Sequence, residues 1–214
     1  MSNTPYYETE LGKLYHGDCL QIMPMLEPVD LVLTDPPYNV GIKYGNDTND
    51  SKTDTEWINW TKPRFDLMRK LASTVLIVGQ ARLPFYALIE PWKWLICWHK
   101  PAAMGRSPVG FCNWEPIAMW GKGCNTGVDF IKAPIKPDKS LNGHPCPKPL
   151  RWATEVLHLF KHYMYILDPF LGSGTTAIAC ERLNRRWIGI EIEEKYCEIA
   201  AKRIENERKQ LKLF

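Results

Sequence analysis

Long apolar runs are missing from this chain. None of its 214 residues lies in a stretch approaching the roughly 20 apolar residues that a membrane-spanning helix needs. Also missing is a secretory start, since Met1-Ser2-Asn3-Thr4-Pro5 carries neither a basic nor an apolar run. A soluble, cytoplasmic protein is therefore expected. The seven cysteines, at 19, 97, 112, 124, 146, 180 and 197, form no Cys-x-x-Cys pair. Reduced, largely buried thiols fit such a chain. The spacing of Cys112, Cys124, His144 and Cys146 matches no common zinc site, so no metal is expected. Strong charge is absent too, and a net charge of +3 does not by itself demand a nucleic-acid partner. There is no Gly-x-x-x-x-Gly-Lys-Ser/Thr phosphate loop. What remains, at 45% hydrophobic, can bury one sizeable core, and residues 1–214 read as a single domain.

The most informative stretch present is Asp35-Pro36-Pro37-Tyr38, which follows the apolar run Val29-Asp30-Leu31-Val32-Leu33-Thr34. Proline fixes φ and removes a backbone donor, so the Asp35 carboxylate and the Pro36 carbonyl can offer acceptors from a rigid turn. Two acceptors and an aromatic ring suit a planar base held by its exocyclic amino group. An ordinary strand-to-turn transition is the alternative, since Asp-Pro and Pro-Pro are common loop punctuation.

A second constellation lies far along the chain. The strand candidate Tyr163-Met164-Tyr165-Ile166-Leu167 runs into Asp168-Pro169-Phe170-Leu171-Gly172-Ser173-Gly174-Thr175-Thr176, and a helical stretch follows. Two glycines at such a turn let a ligand approach the backbone closely. The turn has no lysine, and the third glycine of a dinucleotide fingerprint is absent. The next strand candidate ends in Glu191, 17 positions after Gly174, where an acid can accept hydrogen bonds from ribose hydroxyls. Glu193 and Glu194 read instead as acids at a helix N-terminus.

Together these segments resemble the DNA amino-methyltransferases, which use S-adenosylmethionine. Asp35-Pro36-Pro37-Tyr38 is similar to their catalytic turn, and the stretch from Asp168 to Thr176 to their cofactor motif. The resemblance extends to Lys13-Leu14-Tyr15-His16-Gly17-Asp18-Cys19, whose Asp contacts the cofactor adenine in relatives. His144-Pro145-Cys146-Pro147-Lys148-Pro149 is similar to the element that caps the methionine end of the cofactor site. The implied cofactor-binding residues are Asp18, Cys19, Lys148, Asp168, Phe170, Gly172, Ser173, Gly174, Thr175, Thr176 and Glu191. Tyr196 and Arg203 continue the family's run into the terminal helix. Because the catalytic turn precedes the glycine turn, the order resembles the circularly permuted β group, and the Asp that heads the motif resembles its adenine-specific type; the resemblance implies a bacterial or phage-encoded protein. Protein-glutamine and ribosomal RNA methyltransferases with a similar turn have the reverse order.

The chain alternates strands and helices, which argues for an α/β fold with a mainly parallel sheet. Strand candidates are 13–16, 29–34, 74–78, 93–98, 115–120, 163–167 and 186–190; helix candidates are 56–72, 80–89, 149–161, 174–184 and 193–211. The resemblance implies a Rossmann-like seven-stranded sheet of the class I methyltransferase type, circularly permuted. In it, 163–167 lies beside 29–34 and brings Asp168 and Asp35 to one sheet edge. Most tryptophans, Trp92, Trp94, Trp98 and Trp187 among them, read as packing residues. The terminal helix reads as a solvated amphipathic one.

Residues 121–143 form a short insertion where such enzymes place target recognition. This proline-rich, basic stretch suggests phosphate contacts, with Lys122, Lys132, Lys136 and Lys139 as DNA-binding residues. Its brevity raises a homodimer as a way to read a longer site. The polar loop 39–55 reads as a flap over the flipped base. The implied mechanism takes the base out of duplex DNA. Asp35 and the Pro36 carbonyl accept its amino hydrogens, Tyr38 stacks on it, and its nitrogen attacks the cofactor methyl. Adenine is expected because Asp heads the catalytic motif. Methylation of the cytosine amino group, an RNA substrate, and a catalytically idle DNA-binding protein stay open as alternatives.

Overall fold

The apolar run Val29–Thr34 is a strand buried along nearly its whole length, as expected of a parallel strand covered on both faces. In the computed structural model of the chain, residues 4–41, 51–79, 82–101, 105–124, 127–135 and 148–211 are described. The elements in order are β1 (Tyr7–Glu8), β2 (Gly12–His16), α1 (Cys19–Ile22), a 3₁₀ turn (Met23–Met25), β3 (Val29–Thr34), α2 (Asp54–Leu71) and β4 (Ala72–Val78). Next come α3 (Leu83–Ile89), β5 (Trp94–His99), a small hairpin of β6 (Arg106–Ser107) and β7 (Gly110–Phe111), β8 (Trp114–Gly121) and β9 (Phe130–Lys132). The chain then forms α4 (Leu150–Leu159), β10 (Tyr165–Asp168), α5 (Thr175–Arg182), β11 (Arg186–Glu191) and α6 (Glu194–Leu211).

One sheet takes the order β1-β2-β11-β10-β3-β4-β8-β5-β9. From β2 to β4 every pair is parallel; β8 is antiparallel to both β4 and β5, and β9 pairs parallel with β5. Residues of α4, α5 and α6 join the core on one face of the sheet, and those of α1, α2 and α3 join it on the other. Helix α2 starts on a capping box, in which Thr53 and Glu56 each accept from the other's backbone amide. It then buries Trp57, Thr61, Arg64, Phe65 and Met68, spaced three and four apart along one face. Asp30, the one acid in the β3 run, accepts from the amides of Met164 and Tyr165 at 2.7 and 2.9 Å and ties the start of β10 to β3.

All seven expected strands are present in the sheet, and 163–167 does run beside 29–34. The sheet is nevertheless wider than expected. β1 and β9 extend it to nine strands, and β9 falls inside the segment read as an irregular insertion. Only Ile131 of that strand is buried, while Phe130 and Lys132 are exposed. Three residues are too short a run for alternation to register in the sequence. Trp98 and Trp187 are buried as expected, but Trp94 is 57% exposed. It shares a sheet face with Trp98, yet Trp98 packs on Trp152 of α4, whereas Trp94 lies at the far end of β5 and donates to Asp129 at 3.0 Å. Of the described thiols, Cys19, Cys180 and Cys197 are buried and Cys97, Cys112 and Cys124 partly so. Among the described residues no helix is long and apolar enough to cross a membrane.

Candidate active site

The parallel strands deliver their carboxyl ends to one edge, in the order β2, β11, β10, β3, β4. Asp18 follows β2, Glu191 ends β11, Asp168 ends β10, Asp35 follows β3 and Gly79 follows β4. A crevice outside strand carboxyl ends is where open α/β sheets bind ligands. The two central ends are fastened to each other, because the Thr34 hydroxyl donates to Asp168 Oδ1 at 2.7 Å across 134 residues of sequence.

Asp168 itself is only 4% exposed. Its Oδ1 also accepts from the Phe170 amide at 3.1 Å, and its Oδ2 from the Thr176 hydroxyl at 2.7 Å. Burial pushes this carboxyl up to about 6, against the opposing pull of those donors. Asp168 is thus the internal brace of the glycine turn. Gly172 donates to Glu191 Oε2 at 2.8 Å, and the Glu193 amide donates to Oε1 at 2.9 Å. Burial raises the Glu191 carboxyl above the usual range. Gly174 has φ +86°, and a Cβ there would stand 3.0 Å from the Ala200 Cβ of α6. This glycine lets the terminal helix approach the turn. Arg203, also on α6, donates to the Ser173 carbonyl and, at 2.9 Å, to its hydroxyl.

At the turn expected to be catalytic, the Tyr38 hydroxyl donates to Asp35 Oδ1 and the Lys148 ammonium to Oδ2. The ammonium also stands 5.1 Å from the centroid of the Tyr38 ring. The ring rests on Gly79, where a Cβ would come within 2.7 Å of Tyr38 Cε1. Arg82 fixes the turn from behind. Its Nε donates to the Tyr38 carbonyl, Nη2 to the Asn39 carbonyl at 2.6 Å, and Nη1 to the Asp54 carboxylate at 2.9 Å. The Asn39 side chain brackets Lys52, donating to its carbonyl and accepting from its amide, both at 2.6 Å. That pair closes the neck of the loop read as a flap, most of which lies outside the described residues.

The expected residues separate into groups. Asp35, Pro36, Pro37, Tyr38, Lys148, Thr175 and the glycine turn come together, and the Thr175 hydroxyl donates to the Lys148 carbonyl at 3.1 Å. Lys148 was expected at the cofactor, and its side chain lies on Asp35, the carboxylate expected to be catalytic. Asp18 caps α1 through the Leu20 amide at 2.9 Å and pairs with Arg64 at 3.2 Å. Cys19 is buried, and burial pushes its thiol up to about 12, so it stays neutral and packs inward. Lys132 ends β9 at the same sheet edge as Asp35, since β9 and β5 run in the sense of β3 and β4. Lys122 is at the opposite edge. β8 runs antiparallel to β4, so Gly121 pairs with Thr74, and the Lys122 carbonyl accepts from the Thr74 hydroxyl at 2.6 Å. Lys136, Lys139, His144 and Cys146 lie outside the described residues.

Sequence reasoning missed Trp60, Arg64 and Arg82. Trp60 faces Phe170 with ring centroids 5.7 Å apart and carries the Arg64 guanidinium 4.2 Å from its own centroid. Both sit on a helix whose pattern announces packing only, so nothing local marked them.

This chain matches the family described as DNA methylase, of the N6/N4 methyltransferase type, over residues 29–126 and 119–202. It belongs to that family. Among curated relatives, it is 30% identical over 250 residues to the type II methyltransferase M2.DpnII of Streptococcus pneumoniae, covering 95% of this chain and 93% of that one. Among solved structures, the cytosine-N4-specific PvuII DNA methyltransferase superposes with a TM-score of 0.72 at 18% identity, over 92% of this chain and 87% of that one. A complex of M1.HpyAVI with SAM (S-adenosylmethionine) gives a TM-score of 0.65 at 23% identity, over 91% of this chain and 99% of that one. Both structural likenesses speak to the fold.

Proposed function

We propose that this chain methylates the exocyclic amino group of adenine in double-stranded DNA, with S-adenosylmethionine as donor and the target base turned out of the duplex. The observation that carries this reading is the Thr34–Asp168 hydrogen bond, which fastens the strand end before Asp35 to the strand end before the glycine turn. Two reactants held on those neighbouring ends need little further search to meet.

The chemistry around the glycine turn fits the cofactor. The Glu191 carboxylate accepts from the Gly172 and Glu193 amides, and its roughly four acceptor sites leave capacity for a ribose hydroxyl. Phe170 and Trp60 offer aromatic surface to a purine, Asp18 offers a carboxylate, and no lysine stands in the turn as a pyrophosphate would favour. Bound there, S-adenosylmethionine supplies a methyl group activated by its sulfonium. Asp35 and the Pro36 carbonyl accept the two amino hydrogens of the base, which localises the lone pair on its nitrogen. Tyr38 stacks on the base, and Asp35 takes the proton that the nitrogen releases. Adenine is favoured on the resemblance, since relatives with an Asp-headed motif mostly act on adenine and those with a Ser-headed one mostly on cytosine; the carboxylate, a stronger acceptor than a hydroxyl, suits an amino hydrogen of either base. The order of the two turns in the chain supports membership of the permuted β group. Of Lys122 and Lys132, the two expected DNA-binding lysines among the described residues, Lys132 is the one exposed at the edge that carries Asp35, where it can meet DNA phosphates.

The test uses phage DNA grown without methylation as acceptor, with mass spectrometry of the nucleosides after reaction. The wild-type chain is expected to yield methylated deoxyadenosine. Asp35→Ala is expected to yield none while binding S-adenosylmethionine within about threefold of wild type by calorimetry. Turnover by Asp35→Ala would overturn the catalytic assignment. Methylated deoxycytidine without methylated deoxyadenosine would reverse the choice of base.

A further inference from the structure

The Lys148 ammonium occupies two positions at once. It hydrogen-bonds Asp35 Oδ2, and it lies over the Tyr38 ring, 5.1 Å from the centroid. Those are the places that the proposed function gives to the amino group and the ring face of the target base. The base and the ammonium cannot both be there. We propose that Lys148 is a place-holder for the target amino group, pairing with Asp35 in the absence of a base and yielding to the base as it arrives. The inference rests on Asp35 being the acceptor of the base amino hydrogens.

The surroundings explain why such a device is needed. Asp35 is partly buried, with its side chain 24% exposed, and it stands close enough to the buried Asp168 for its charge to act on that carboxyl. A carboxylate in such a setting is costly without a donor. With Lys148 as place-holder, one donor replaces another and the carboxylate is never bare. The backbone from Lys148 onward is anchored, because its carbonyl accepts from the Thr175 hydroxyl and Pro149 next to it holds the N-cap position of α4. The four-carbon stem of the side chain gives the ammonium reach from this anchored backbone. Lys148 acts here as a positioning residue, through Asp35.

The consequence is a tax on DNA binding. When the binding-competent state is only a fraction of the population, apparent affinity falls by that fraction. The experiment measures tritiated methyl transfer to unmethylated phage DNA by wild type, Lys148→Met and Lys148→Arg, with calorimetry for S-adenosylmethionine. Lys148→Met is expected to raise kcat/KM about fivefold, the upper range for a partly exposed ion pair, with the gain in the KM for DNA. Lys148→Arg pairs with the carboxylate through two donors and is expected to raise KM instead. A fall in kcat at unchanged KM for Lys148→Met would overturn the proposal, because Lys148 would then be needed during chemistry. A loss of cofactor affinity would also overturn it, in favour of a cofactor contact. If Lys148→Met does not fold, a lowered KM in Lys148→Arg is the overturning result. Failure of the parent reading looks different: Asp35→Ala would then turn over.

Discussion

Replacing Asp168 with asparagine isolates what one buried carboxyl does to the pH dependence of this fold. In the folded chain the group titrates at about 6, raised by burial from its ordinary 3.8. A folded value above the unfolded one means that the native state binds the proton more tightly. The stability that Asp168 contributes is thus fully present below about 3.8 and is lost as the pH rises through about 6. At 1.36 kcal/mol per pH unit, the gap corresponds to roughly 3 kcal/mol. Asparagine keeps the shape and one acceptor, and its amide nitrogen would face the Thr176 hydroxyl, which can rotate to accept. Urea unfolding of wild type and Asp168→Asn at several pH values across this window gives the difference directly. The raised Glu191 carboxyl is present in both proteins, and because burial is the main cause of its shift and the Asp168 charge the least, most of its contribution cancels in that difference. The expected result is that Asp168→Asn gains on wild type by roughly 3 kcal/mol between the acid and neutral ends. A difference that stays flat across the window would refute the reasoning, because the buried carboxyl would then titrate alike in both states.

Two further tests follow from the geometry. Gly79→Ala puts a methyl group within 2.7 Å of the Tyr38 ring at a residue with φ +141°, and is expected to lower methyl transfer by about tenfold or more. A wild-type rate in a folded Gly79→Ala chain would show that the ring position is immaterial. Lys132→Ala is expected to weaken DNA binding and reduce the slope of log affinity against log salt by about 1, whereas Lys122→Ala at the opposite sheet edge leaves that slope unchanged. Equal effects of the two substitutions would mean that DNA does not follow the edge bearing Asp35.

What was legible in the sequence was whatever is local. Parallel strands buried on both faces leave unbroken apolar runs, so β3 stood out, and the Pro-Pro and Gly-x-Gly turns carry their chemistry within a few residues. The adjacency of β3 and β10 followed from family resemblance, and the pairing of Leu31 with Ile166 and Val32 with Leu167 agrees with it. Contacts between distant segments were not legible. Lys148 carries no mark in the sequence that directs it to Asp35 rather than to the cofactor, and Arg82 reads as an ordinary helix-start cation. Strand direction was hidden as well. An apolar run reads alike in either sense, so the antiparallel placing of β8, which sends Lys122 away from the site, was out of reach. Likewise β9 and the β6–β7 hairpin are too short to leave a period.

The bracket between Asn39 and Lys52 has a meaning for how this chain can vary. It joins residues 13 apart at the mouth of a loop, and Arg82 anchors the same mouth to the start of α2 through Asp54. These contacts tie the chain leaving β3 directly to the chain entering α2. The entropy of closing a longer loop grows only logarithmically, so doubling its length adds about 0.6 kcal/mol. A change of chain length between Asn39 and Lys52 is therefore expected to cost little while β3, Tyr38 and α2, fastened to one another directly, keep their places.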